Sequence, residues 1–104
     1  MKDIYFKHTQ KIKSIDIDNT TLANEIGDLY YDSLGQFLDA LSSKLLEDSL
    51  QDQKKGRLKL ATSLKNASAS IKEASKEIQI AWDISSPHVK DWIKENASNR
   101  ENEN

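Results

Sequence analysis

The chain has 104 residues, of which 37% are apolar and 31% charged, with three glycines, one proline and no cysteine. That length suits one domain with a single small core, and so few helix breakers favour long helices over strands and turns. The missing cysteine excludes disulfides and sulfur-ligated zinc, and nowhere do the roughly 18 consecutive apolar residues of a membrane-spanning helix occur.

The net charge of −2 conceals an asymmetry. Residues 15 to 53 hold nine acids and one lysine, a balance of −8, whereas residues 54 to 65 hold five basic residues and no acid, a balance of +5. Opposite charge on consecutive segments favours their folding back on each other.

The amino terminus, Met1-Lys2-Asp3-Ile4-Tyr5-Phe6-Lys7-His8, lacks the apolar core of an export signal, so a cytoplasmic chain is expected. Ile4, His8, Ile12 and Ile15 share a helical stripe, which predicts a helix over about 3–14. Ile15-Asp16-Ile17 alternates as a strand would, but a lone strand would lack a pairing partner.

A long helix is predicted over about 20–53. Leu22, Ile26, Leu29, Tyr30, Leu34, Phe37, Leu38, Leu41 and Leu45 advance mostly in steps of three and four, forming one broad apolar stripe. Asp18-Asn19-Thr20-Thr21 supplies N-caps. Gly27 and Gly35 fall inside this helix, where one or both would permit close approach of a neighbour, the alternative being a kink or break. Gly56 follows a stretch without apolar residues and reads as the C-cap glycine that ends the helix.

A second long helix is predicted over about 57–84, carrying the chain's one internal repeat. Leu64, Ile71 and Ile78 recur every seven residues, with Ala67, Ala74 and Ala81 three residues after each. A large residue at one heptad position and alanine at the next predicts a seam in which the alanines let the partner helix approach. Ser68, Ser70 and Ser75 are read as small residues in or beside that seam. If the hairpin turns at Gly56, residues equidistant from it face one another, Leu34 against Ile78 and Leu41 against Ile71.

Ser85-Ser86-Pro87 reads as a stop followed by a restart. A short helix with Val89, Trp92 and Ile93 on one face should then dock through Trp92. The polar run Ser98 to Asn104 has nothing to bury. The expected architecture is therefore all-α: a long antiparallel helical hairpin with short flanking helices, one helical domain over 1–97, and a disordered tail over 98–104. The apolar stripe of the first long helix is too wide for one partner, so a homodimer completing a four-helix-type bundle is expected.

Three groups of residues carry possible functions. Tyr30, Tyr31, Trp82 and Trp92 are the aromatic anchors, of the types that dominate binding hot spots, and they favour a non-enzymatic interaction module that binds itself or a second protein. Lys54, Lys55, Arg57 and Lys59 form a basic cluster at the expected hairpin tip that could meet phosphates of RNA or DNA. The acidic overall balance, and the lack of aromatic residues between 38 and 81 to stack on bases, place nucleic acid below protein as a partner. A Rop-like RNA-binding bundle is the nearest architectural analogy.

Glu25-Ile26-Gly27-Asp28-Leu29-Tyr30-Tyr31 resembles the second half of the motif of MazG-type nucleotide pyrophosphohydrolases. The resemblance implies an all-α fold in which an E-x-x-D pair helps hold magnesium near a nucleoside triphosphate, with Glu25, Asp28 and Asp32 as the metal-ligand set. It covers about ten residues, and the glutamates that the family carries on the preceding helix have no counterpart, since residues 1 to 20 contain none. Magnesium needs several oxygen ligands in octahedral array, so no cofactor and no catalytic residue is expected on the first reading. His8 and His88 stand far apart in sequence without a patterned carboxylate near either.

Overall fold

The computed structural model describes the backbone of residues 8–103 and the side chains of residues 8–88 and 91–96. Three helices follow in order: α1 (Asn19–Gly27), α2 (Tyr31–Lys54) and α3 (Leu58–Glu103). No strand occurs among the described residues. No helix among them is long and apolar enough to cross a membrane.

The hairpin forms as expected between α2 and α3, which pack along their shared length, and its turn is built by local chemistry. Gly56 adopts φ of 81°, in the left-handed region, where a glycine avoids the steric cost that a Cβ would carry. Its N–H donates to the Gln53 carbonyl at 3.0 Å, and the Arg57 N–H donates to the Asp52 carbonyl at 2.9 Å. Together these form a Schellman cap that satisfies two of the carbonyls left open at the end of α2.

The long helix expected over 20–53 is two helices. Asp18 caps α1, its Oδ1 accepting the Thr21 N–H at 2.7 Å, but α1 ends at Gly27 and the backbone turns extended at Tyr30. Glycine weakens a helix by about 1 kcal/mol relative to alanine. No residue of α1 is buried, so no packing offsets that cost, and the break falls there. The close approach read into the glycines belongs to Gly35 alone. It lies buried against α3, whereas Gly27 has open space around it.

Upstream, the expected helix over 3–14 lies partly outside the described residues. Residues 8–14 form bends and turns rather than helix. Ile12 and Ile15 are exposed there, with no apolar face opposite to reward a helical conformation.

Downstream, α3 does not stop at Ser85-Ser86 but runs through Pro87 as one helix. Proline removes one backbone donor from a helix interior, and here the turns on either side hold the helical path. The separate short helix expected after Pro87 is thus the distal part of α3, and Trp92 is exposed rather than docked. The backbone remains helical through 98–103, past the expected start of the tail.

The seam between α2 and α3 is the feature that sets the architecture. Its buried residues are small and recur every seven positions: Gly35, Ser42 and Ser49 on α2, and Ala61, Ser68 and Ser75 on α3. They meet as Ser42 with Ser68, Ser49 with Ala61, and Gly35 with Ser75, each pair centred on Lys55, one residue before the expected pivot.

Serine hydroxyls bridge the helices. Ser42 Oγ donates to the Ser68 carbonyl at 2.8 Å, and Ser68 Oγ donates to the Ser42 carbonyl at 2.7 Å. Ser49 Oγ donates to the Ala61 carbonyl at 2.6 Å and Ser75 Oγ to the Gly35 carbonyl at 3.1 Å. A hydroxyl on one helix reaches the backbone of the other only when the two lie close, and a leucine at any of these positions would hold them apart. The heptad is therefore real but offset: Ala67 and Ala74 are exposed, and Ser68 and Ser75, one residue after each, fill the seam. Ser70 lies exposed outside it.

Candidate functional site

On α2, Leu34, Leu38, Leu41 and Leu45 fall to one side of the seam, with Phe37 beyond them. On α3, Leu60, Leu64, Ile71 and Ile78 fall to the same side, with Ala67, Ala74 and Ala81 beyond. This follows from 3.6 residues per turn applied to two antiparallel helices. The ion pair between Lys72 Nζ and Asp39 Oδ1, 3.1 Å long, bridges the helices on the opposite, polar side. The side bearing Leu34 and Leu41 is thus apolar, whereas the opposite side mixes charged residues with the exposed Leu46, Leu50, Leu58 and Ile80.

The apolar face is only partly covered. Leu34, Leu38, Leu41, Leu45, Leu64, Ile71 and Ile78 are half-buried where they flank the seam, and Phe37 and Leu60 are 40% and 47% exposed. Among the described residues Ala61 is the one buried apolar residue, and no large side chain is fully buried. The molecule is one helix layer deep, with extents of 61 × 30 × 18 Å.

The four aromatic anchors do not form one cluster. Tyr30, at the start of α2, stacks on Trp82 of α3 with ring centroids 6.3 Å apart, closing the open end of the hairpin. Tyr31 follows in the first turn of α2, 41% exposed. Trp92 lies almost three turns further along α3, 55% exposed, on a stretch that extends beyond the start of α2. Beside the Tyr30–Trp82 stack, a shallow notch of about 290 Å³ is lined by Gly27, Asp28, Leu29, Tyr30, Tyr31 and Ser85. The Ser85 hydroxyl is buried there with no hydrogen-bond partner among the described residues.

No protein-family model, curated protein or solved structure matches the chain.

Glu25, Asp28 and Asp32 are divided by the break after α1. Glu25 lies on α1, Asp28 caps its end, and Asp32 opens α2, where its Oδ1 accepts the Ser33 N–H at 2.7 Å. Among the described residues no group of three carboxylates and histidines gathers as a metal site. His8 and His88 are both exposed.

Lys54, Lys55, Arg57 and Lys59 are brought together at the hairpin tip, as their place in the sequence implied. Arg57 Nη1 pairs with Asp52 Oδ1 at 3.2 Å, while Lys54 closes the last turn of α2 and Lys59 sits in the first turn of α3.

Two carboxyls and one amine are shifted from their ordinary values. The Asp39 carboxyl is held below the usual range by the hydroxyl of Ser75, and then by the Lys72 ammonium. The Asp18 carboxyl is lowered by its cap bond from the Thr21 N–H. Lys44 is raised by its bond to Asp48, 2.6 Å long on the same helix. All three groups lie at the surface, so they trim the helices rather than mark a reactive centre.

Sequence reasoning missed the serine seam as a hydrogen-bonded device. The signal was present in the seven-residue spacing of Gly35, Ser42 and Ser49, which the louder leucine stripe masked.

Proposed function

We propose that the chain is a non-enzymatic interaction module whose working surface is the apolar face formed jointly by α2 and α3. The observation that carries this is the inverted distribution of side chains. Small polar residues fill the interior seam, while large apolar residues lie outside it, with Leu34, Phe37, Leu41, Leu60, Ile71 and Ile78 sharing one face. Contiguous apolar surface on that scale marks a site of protein association, and a helical face laid against helices of another surface is a recurrent mode of recognition. A partner is also what would complete the core, since a single helix layer leaves these apolar side chains only half-buried.

Leu41→Glu tests the proposal. It charges the centre of the face while leaving every seam residue in place, so the hairpin should persist and capture of bound proteins from the native host should fail. An unchanged captured set would end the proposal.

A second reading draws on the basic tip, where four cationic residues gather at one end of an otherwise acidic chain. If the tip meets nucleic acid, retention should fall steeply with salt, and Lys54→Glu with Lys59→Glu should abolish it. Binding that ignores salt, or no binding, would remove that reading.

A further inference from the structure

Resting on the interaction role proposed above, we infer that the partner covering the apolar face is a second copy of this chain, stacked face to face about a twofold axis that runs along the hairpin, so that α2 of each copy lies on α3 of the other. The size pattern of the face carries the inference. Beside the seam, α2 raises Leu34 and Leu41, with Phe37 at the rim, whereas α3 offers Ala67, Ala74 and Ala81 at the matching positions. Two isologous stackings of such a face exist. An axis across the helices sets α2 on α2 and α3 on α3, large on large and small on small. An axis along them sets large on small in both halves at once.

The second arrangement leaves no freedom to slide, because each residue keeps its level along the hairpin in the other copy. The seam pairs, centred on Lys55, fix those levels: Leu41 stands level with Ala69, and Leu34 with Lys76. Leu41 of one copy therefore falls between Ala67 and Ala74 of the other, and Leu34 between Ala74 and Ala81, each a large knob over a gap between alanines. Phe37, 40% exposed, falls beside Ser70 and Ala74, both small and exposed. Leu38, Leu45, Leu64, Ile71 and Ile78, half-buried in one copy, face their counterparts across the axis as the core of a four-helix bundle.

Area and charge are compatible with this contact. From Leu60 to Ala81 the face runs about 30 Å along α3 and is two helices, or about 20 Å, wide. That projects to about 600 Å², and to more over its ridges, which approaches the roughly 800 Å² per partner of a stable interface. The acids at its tip end, Asp48 and Asp52, are paired with Lys44 and Arg57 of the same copy. Residues 47–59 hold three acids and four bases, a balance of +1, so two tips side by side carry little repulsion. At the open end, Asp32 and Asp83 lie on the side of the hairpin away from the face.

Sedimentation equilibrium on the purified full chain should give twice 11.8 kDa. Ala74→Leu then separates fit from mere apolar area: it fills the gap that takes Leu41 and should weaken self-association by about ten-fold or more, where area alone would tighten it. Orientation is read from single spin labels, since the chain has no cysteine. Lys59→Cys, Asn66→Cys and Glu73→Cys place them one heptad apart on the exposed outer side of α3. An axis along the hairpin gives the same label separation at all three sites, whereas an axis across it gives separations that shrink by about 20 Å from Lys59 to Glu73. A monomeric mass at all concentrations, an Ala74→Leu pair as tight as the wild type or tighter, or unequal separations overturn the inference. If Ala74→Leu fails to fold, the wild-type mass and the three separations still decide the matter. A monomeric mass removes self-pairing alone, while the Leu41→Glu capture experiment judges the interaction role itself.

Discussion

The two sides of α3 invite comparison. Toward α2 it presents Ala61, Ser68 and Ser75, all buried: the Ser68 and Ser75 hydroxyls donate to α2 carbonyls, and the Ala61 carbonyl accepts from Ser49 Oγ. One position earlier in each heptad it presents Leu60, Ala67 and Ala74, exposed. In a globular domain the larger apolar set would be inside. Here thinness decides the interior: serine and glycine let the helices approach until hydroxyls reach carbonyls across the gap, and the apolar area that would normally drive folding is displaced to a face. Each such hydrogen bond contributes a net of about 0.5 to 1.5 kcal/mol, so the seam specifies register more than it supplies stability.

The largest way to break this contrast is to thicken the seam. Ser68→Leu should destabilise the hairpin by about 2 to 4 kcal/mol, combining overpacking with loss of the reciprocal bonds to Ser42. Urea unfolding at fixed protein concentration measures it. Ser42→Ala with Ser68→Ala keeps the seam thin and removes only the hydroxyls, so it should cost about 1 to 2 kcal/mol. Equal losses in the two would show that bonding, not thickness, holds the helices together.

Next in size is the turn. Gly56→Ala places a Cβ on a residue at φ of 81° and should cost about 1 kcal/mol, read from the same unfolding curves. Gly35→Ala should act in the opposite direction. The added Cβ would meet Ile78 Cγ2 at 3.8 Å, an ordinary contact, while the helix gains propensity, so stability should rise by about 0.5 to 1 kcal/mol. A loss there would mean the helices are closer than the seam bonds require.

The smallest effect is acidification. Asp18 and Asp39 titrate below their ordinary value of 3.8 in the folded chain, so their contribution is fully present above that pH and is lost as pH falls through the lower folded values. Helicity followed by circular dichroism should hold from neutral pH to about 4 and decline slightly below it. Asp18→Asn should flatten the part of that decline that comes from the α1 cap.

Much of the backbone was legible in the sequence because its signals are local. The N-cap at Asp18, the C-cap glycine at Gly56 and the paired apolar stripes each act within one or two turns. The gathering of Lys54, Lys55, Arg57 and Lys59 at the tip followed from the hairpin alone. The break after Gly27 was weighed as an alternative and proved to be the outcome, because whether a helix tolerates glycine depends on what its face buries. The continuation through Pro87 ran against the local signal: serines before a proline favour a cap and a restart, whereas an interior proline loses a backbone hydrogen bond and persists only where the turns on either side hold the helix.

What the sequence determined by itself was an all-helical chain folded back near Gly56, since periodicity, capping and turn chemistry are properties of neighbouring residues. Which of two interleaved heptads would face inward was decided only by tertiary packing. Ala67, Ala74 and Ala81 and the series Ala61, Ser68 and Ser75 have the same period, and the second won because its hydroxyls find acceptors across a close contact. That choice left the leucines flanking the seam half-buried and turned Ala67 and Ala74 outward, making a surface of part of what the sequence read as a core.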